Sequence, residues 1–212
     1  MCGRYLTPDQ SALERYWGLP APPDFAQSYN VAPSQPAPLI RVDREGHRRL
    51  GMLTWGFKPP WSDKAWINAR SETVFRTKAF ASAAEKRRCL VPALGWYEWQ
   101  GSKPPRVPYL FHVDGFIPLA FAGIWTGQRI GEEWQRSFAI LTRAAPPPFN
   151  EIHPRMPLVL DPAVYDTWLD PRANPEAAAE ALARPFDAIA FYAVSDYVNK
   201  PAHDDARCIQ PV

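Results

Sequence analysis

Four side chains in this 212-residue chain are of types that could share one covalent reaction: Cys2, Asn68, Glu98 and His153. Cys2 leads because of its position. Initiator methionine is commonly removed before a small residue, and removal of Met1 would leave Cys2 with a free α-amine beside its own thiol. The amine has an ordinary pKa of about 7.7–8.0 and the thiol about 8.5, so both are partly deprotonated near neutrality. An aldehyde meeting the pair forms an imine with the amine. The thiol then closes onto the imine carbon and gives a five-membered thiazolidine. An internal cysteine has no such route, because its nitrogen is tied up in an amide. A cysteine at a frayed terminus is by itself unremarked, so its company decides the matter.

Glu98 stands in Leu94-Gly95-Trp96-Tyr97-Glu98-Trp99. A carboxyl flanked by rings is desolvated, which raises its pKa and suits it to give or take a proton. Strand alternation puts Trp96 and Glu98 on one face, which argues against a plain solvent face. His153 lies between prolines in Ile152-His153-Pro154-Arg155-Met156-Pro157, where a stiff loop can aim an imidazole; the alternative is a structural histidine bonding to loop carbonyls. Asn68, in Trp66-Ile67-Asn68-Ala69-Arg70, offers an uncharged amide that can orient an amine or a sugar hydroxyl; the alternative is a turn asparagine. Arg4, Arg70 and Lys78 are candidate phosphate contacts, and Trp61, on a proline-rich loop, a candidate stacking platform. Cys89 reads as a core residue.

These residues need a scaffold. The chain is 46% hydrophobic and 13% aromatic, enough for a sizeable core in one domain over residues 1–212. Its 25 prolines move the expectation toward strands, turns and fixed loops. Thr7-Pro8-Asp9-Gln10 predicts a helix start capped by Thr7, and Gly18 its end. Strands are expected over Pro38–Val42, Arg48–Phe57, Cys89–Trp99 (broken at Pro92) and Trp134–Thr142, with Tyr109–Val113 and Ile117–Trp125 forming a hairpin about Asp114-Gly115. Residues 19–36 read as an ordered loop and 73–84 as a short helix. Asp161-Pro162 and Asn174-Pro175 start two more helices, and Ala188–Val194 is a last strand. The sum is an α+β protein of coiled, mostly antiparallel, barrel-like sheets with peripheral helices.

Charge and cysteine count narrow the function. Residues 1–110 hold 16 Lys and Arg against 9 Asp and Glu, whereas residues 111–212 hold 8 against 13. A basic half with interleaved Trp and Tyr fits a nucleic-acid surface. Three scattered cysteines, Cys2, Cys89 and Cys208, indicate neither a disulfide framework nor a zinc site. No apolar stretch is long enough to span a membrane, and no signal peptide follows Met1. The expectation is a cytoplasmic protein with no metal and no organic cofactor.

Met1-Cys2-Gly3-Arg4, Tyr29-Asn30-Val31-Ala32-Pro33, Trp55-Gly56-Phe57, Asn68-Ala69-Arg70-Ser71-Glu72-Thr73, Gly95-Trp96-Tyr97-Glu98-Trp99, His153-Pro154-Arg155-Met156-Pro157 and Val198-Asn199 occur in this order. Together they resemble the SOS-response-associated-peptidase (SRAP) family of abasic-site-processing proteins, nearly end to end. The resemblance implies a monomeric, nucleoid-associated DNA-repair protein. It would bind single-stranded DNA and crosslink to the ring-opened aldehyde of an abasic site through a Cys2 thiazolidine. It implies that Asn68 positions the amine and the sugar, that Glu98 assists proton transfers and ring closure, and that His153 acts as acid and base on the sugar hydroxyl. It further implies a DNA groove lined by Arg4, Pro33, Trp61, Arg70, Lys78, Thr142 and Arg155. One departure is Ser62, where a second aromatic often follows the residue matched by Trp61. An unclosed imine would permit β-elimination, so lyase activity is an expected side reaction. The peptidase of the family name would fit release of Cys2.

Two other classes compete. An N-terminal-nucleophile amidohydrolase would use the Cys2 thiol on an amide with its own amine as base, and a thiol peptidase would add His153 and Glu98. A single-strand-binding module would use the Arg and Trp residues alone and form no covalent adduct.

Overall fold

The computed structural model describes residues 2–22, 25–130 and 132–212. Met1, on whose removal the free amine depends, lies outside the described residues, as do Pro23 and Asp24 of the expected 19–36 loop. The chain runs through β1 (Arg4–Leu6), α1 (Gln10–Trp17), β2 (Pro36–Val42), β3 (Arg48–Trp55), β4 (Asn68–Arg70), α2 (Ala81–Lys86), β5 (Arg88–Ala93) and β6 (Gly95–Gln100). It continues through β7 (Val107–His112), β8 (Leu119–Ile130), β9 (Glu133–Ala144), β10 (Arg155–Pro157), α3 (Tyr165–Leu169), α4 (Pro175–Leu182) and β11 (Ala190–Ala193).

Five strands close a mixed barrel in the order β9-β3-β2-β5-β8, with β8 pairing back onto β9. The β3–β9 and β4–β9 pairings are parallel and the rest antiparallel. Alternation sorts the side chains. Leu39, Leu53, Cys89, Val91, Phe121, Phe138 and Ile140 fill the inside. Ile40, Leu90, Ala122, Ala139 and Leu141 face outward and are covered by Ala84 of α2, Trp168 of α3 and Ala178 of α4. A second sheet, β1-β6-β7-β11, stops one end of the barrel. Its Tyr5 meets the barrel's Trp55 at 5.2 Å and Phe121 at 5.8 Å between ring centroids, and Trp96 meets Phe121 at 5.9 Å. These edge-on aromatic contacts fix the sheet on the barrel.

The structure corrects three local expectations. Asp9, not Thr7, caps α1, accepting from the Ala12 amide at 2.7 Å. Thr7 is buried and exchanges hydrogen bonds with the Ser28 backbone. The strand break falls at Leu94, not Pro92. Ala120, paired with Pro92, gives its carbonyl to Leu160, so the missing proline N–H interrupts no ladder bond there. Residues 109–125 are not a hairpin. β7 pairs in the small sheet and β8 in the barrel, and the Asp114–Phe116 turn carries the chain between them.

Gly95 sits where the chain crosses from barrel to small sheet. A Cβ there would lie 2.3 Å from the Phe111 carbonyl oxygen. Gly95→Ala is therefore expected to cost about 2–3 kcal/mol, read as a lower urea midpoint at unchanged slope. The neighbouring pair Arg87-Arg88 parts: Arg87 donates to the Trp125 carbonyl and to Ser82 of α2. Arg88 is buried and donates to the Ala84 and Glu85 carbonyls at the end of α2 and to Trp168, Asp170 and Ala173 around the end of α3. Arg88→Met removes the donors and strands those carbonyls. A loss of about 3 kcal/mol is expected in the same measurement.

Candidate active site

Cys2 lies just before β1, fully buried in the cluster that holds Tyr5, Trp96 and Phe149. The antiparallel β1–β6 register, Arg4 opposite Tyr97 and Tyr5 opposite Trp96, carries Glu98 up beside this start of the chain. Asn68 reaches the same point from β4, whose register on β9 places it opposite Ile140. Its Nδ2 donates to the Cys2 carbonyl at 2.8 Å. Its Oδ1 is buried and has no partner among the described residues. An unfilled buried acceptor is costly and is a common mark of a functional position.

Burial dominates the electrostatics. It pushes the Cys2 thiol well up, and the Glu98 carboxylate pushes it further. The resting form is the thiol, with Glu98 near enough to matter to it. Glu98 is 3% exposed. Its own desolvation raises its pKa to about 7, so it is divided between acid and base at neutral pH.

His153 follows Phe149 and Ile152, which pack into the Cys2 cluster. Gln100, at the end of β6, donates to the Glu151 carbonyl and ties this loop to the strand that carries Glu98. Burial lowers the imidazole pKa, so the ring is neutral at pH 7. Nδ1 stands 2.8 Å from the Arg155 carbonyl oxygen and 3.1 Å from the Arg155 amide. It finds a partner whether or not it carries the proton. The two tautomers are thus both supported, and Nε2 can give or take a proton without a bond being lost at Nδ1.

The remaining sequence candidates separate into three groups. Arg4 and Pro33 line a cleft of about 540 Å³ with Gly3, Trp99 and Arg106. Arg4 is anchored there to Asn30 Oδ1 and the Val198 and Asn199 carbonyls. Trp61, 63% exposed, and Arg70 and Lys78, both exposed, stand on the surface, the two cations in no ion pair with a described residue. Thr142 and Arg155 differ from the expected groove residues. Thr142 is fully buried, and its carbonyl and hydroxyl accept from Arg155. Arg155 is held by Glu72, Nη1 to Oε1 at 2.5 Å. Thr142 therefore has no open surface, whereas Arg155 stays partly exposed beside His153.

Sequence reasoning missed Asn30. Its buried amide donates to the Val198, Lys200 and His203 carbonyls and holds the C-terminal segment against Arg4. The polar residue inside Tyr29-Asn30-Val31-Ala32-Pro33 was the available signal. Asp204 completes the lock by accepting from the Tyr29 and Asn30 amides. Among the described residues no group of His, Cys, Asp and Glu could hold a metal ion, and no helix is long and apolar enough to cross a membrane.

The class of protein is an α+β domain in which a buried cysteine near the start of the chain, its carbonyl held by the Asn68 amide, lies beside a buried carboxyl at one end of a mixed barrel. A family model described as SOS response associated peptidase (SRAP) matches residues 1–201, and the chain belongs to that family. It is 31% identical to the abasic site processing protein YedK of Escherichia coli, over all of both chains. It is 31% identical to the abasic site processing protein YoqW of Bacillus subtilis, over 88% of this chain and 87% of that one. Among solved structures, a phage-related protein of Bordetella bronchiseptica matches with TM-score 0.75 and 32% identity, over 91% of this chain and 94% of that one. A protein from Bacteroides thetaiotaomicron shares the fold over the full length of both chains, with TM-score 0.86 at 22% identity.

Proposed function

We propose that the protein processes abasic sites in single-stranded DNA by forming a covalent thiazolidine between Cys2 and the ring-opened sugar, acting as a monomer. The observation that carries this reading is the Asn68 amide. Its Nδ2 holds the Cys2 carbonyl while its buried Oδ1 is left as an acceptor. Once Met1 is gone, the N–H of the Cys2 amine is the donor that fits it. The relatives named abasic site processing proteins supply the substrate class.

The chemistry balances without a cofactor. The neutral Cys2 amine adds to the C1′ aldehyde, and a proton passes from nitrogen to the new hydroxyl oxygen. Protonated Glu98 gives a proton to that hydroxyl as it leaves as water, and the imine forms. The thiol sulfur then bonds to the carbon of this imine, which still carries its nitrogen proton; the thiol proton returns to the Glu98 carboxylate, and the ring nitrogen is left as a neutral N–H. One water is released and nothing is oxidised or reduced. His153, with both tautomers supported, serves proton transfer at the sugar hydroxyl and any reversal. The closed ring protects the strand, whereas an imine that fails to close leads to β-elimination and strand cleavage.

Cleavage of the Met1–Cys2 bond is the prerequisite, and the peptidase in the family name fits that step. The Arg4–Arg106 cleft beside Gly3, with exposed Arg70 and Lys78, supplies the phosphate contacts. Intact mass is the test, measured before and after incubation with a uracil-containing strand treated with uracil glycosylase. Protein lacking Met1 that gains the strand's mass less one water supports the reading. Processed protein that gains nothing overturns it.

A further inference from the structure

The barrel has two ends, and the small sheet stops only one. At the other a cavity of about 820 Å³ opens. The interior positions of the strands change character there. On β2 the inward series passes from Leu39 to Arg41, on β9 from Phe138 back to Arg136 and Trp134, and before β5 from Cys89 back to Arg87. On β8 it passes through Trp125, over which the Arg41 guanidinium lies at 5.3 Å, to Gly127 opposite Arg136. Strands that are apolar inside thus end in arginine and tryptophan at one rim.

The cations there are not neutralised. Arg41, Lys86, Arg87 and Arg136 enter no ion pair with a described residue. Asp43 is the acid lining the mouth, and it is taken by Arg49 at 2.7 Å and by the Glu45 and His47 amides. Burial holds the Arg41 pKa down and Arg136 lowers it further, which Asp43 offsets only in part, so the two like charges lie within each other's field. Trp134 is 62% exposed at the same rim. A concentrated positive field with open ring faces suits phosphates bearing bases.

The segment from residue 58 to 70 connects this mouth to Cys2. Pro60 lines the mouth and its neighbour Trp61 is exposed. Lys58 then bonds to Ser137 of β9, Trp66 bridges Phe57, and Asn68 and Arg70 pair with Ile140 and Thr142. From Thr142 to Arg136 is six strand residues, about 20 Å at ~3.3 Å each. A strand leaving the Cys2 site over Trp61 covers that in about six nucleotides at ~3.4 Å each.

We propose that the open mouth of the barrel, with Arg41, Arg87, Arg136 and Trp134, is a second nucleic-acid contact that holds single-stranded DNA several nucleotides away from the lesion. The proposal rests on the reading that the substrate is single-stranded DNA. It is tested on lesion-free strands, so no crosslink is needed. Fluorescence anisotropy is measured for strands of about 5 and about 20 nucleotides across a salt series. For the double variant Arg41→Gln/Arg136→Gln, the longer strand should bind about tenfold or more weakly, with a salt slope reduced by about 1.4, as for two lost phosphate contacts at ~0.7 each. The shorter strand should bind as to the parent. Trp134→Ala, an exposed change that leaves the charges in place, should weaken the longer strand with the slope unchanged. A free nucleotide that competes as well as the strand would replace the strand by a small ligand and overturn the proposal. So would equal losses for both lengths, or none. Should the parent form no covalent adduct yet show the length-dependent loss, the crosslinking reading fails and this one stands.

Discussion

Cys2→Ala, processed to expose its α-amine, will form no heat-stable adduct with abasic single-stranded DNA. In the proposed reaction the thiol of Cys2 is delivered to the imine carbon within the same residue, and such delivery is worth about 10⁵–10⁸ M in effective concentration. No external thiol or other side chain replaces that, so the loss on a denaturing gel is to background. Cys89, buried inside the barrel, and Cys208, in the C-terminal segment, do not rescue it. The amine survives in Cys2→Ala and in Cys2→Ser, so imine formation continues and borohydride should trap both variants on the strand. With ring closure gone, strand cleavage by β-elimination should rise above the parent. A Cys2→Ala protein that still gives the heat-stable product would remove Cys2 from the reaction.

Glu98→Gln carries opposite consequences for stability and activity. Burial raises the Glu98 pKa from 4.5 to about 7. Between those pH values the folded protein keeps a proton that the unfolded chain has released. The stability linked to this group is fully present below about pH 4.5 and is lost as the pH rises through 7, a change of about 3 kcal/mol by pH 8. Glutamine is neutral throughout and has no such loss. The variant should therefore be more stable than the parent at pH 8 by up to about 3 kcal/mol, with the difference shrinking at pH 5. Adduct formation should slow by about 10²–10⁴, the usual worth of a positioned acid–base group, and lose its pH dependence near 7. Urea unfolding at the two pH values and single-turnover gels read the two effects. An unchanged slope of stability against pH would mean that Glu98 is ionised in its pocket at no cost.

The candidate residues of the site were legible because their interest depends on residue type and near neighbours, and the fold brings Cys2, Asn68 and Glu98 together. A second-position cysteine, a glutamate among tryptophans and a histidine between prolines each restrict what the side chain can do. The environment of Glu98 followed from local alternation, and the structure agrees that Trp96 and Glu98 are both buried. Thr142 and Arg155 show the limit. Their types suit DNA, but the register of β10 on β9 buries Thr142 completely and sets Arg155 on it and on Glu72, a placement that no local pattern foretells. Asn30 shows it from the other side, since its partners lie about 170 residues away along the chain.

The Gly18 end of α1, the Asn174 cap of α4, most strands and the α+β class were determined by the sequence itself, since capping residues, proline and period-two alternation act within a few residues. Only the tertiary structure decided that β7 and β8 enter different sheets, that Arg88 is buried against the ends of α2 and α3 while its neighbour Arg87 lines an open mouth, and that this mouth is cationic. Those outcomes depend on closure. When β8 pairs back onto β9, one face of every strand becomes an interior, and each strand's register then sets which residues reach the stopped end beside Cys2 and which reach the open one.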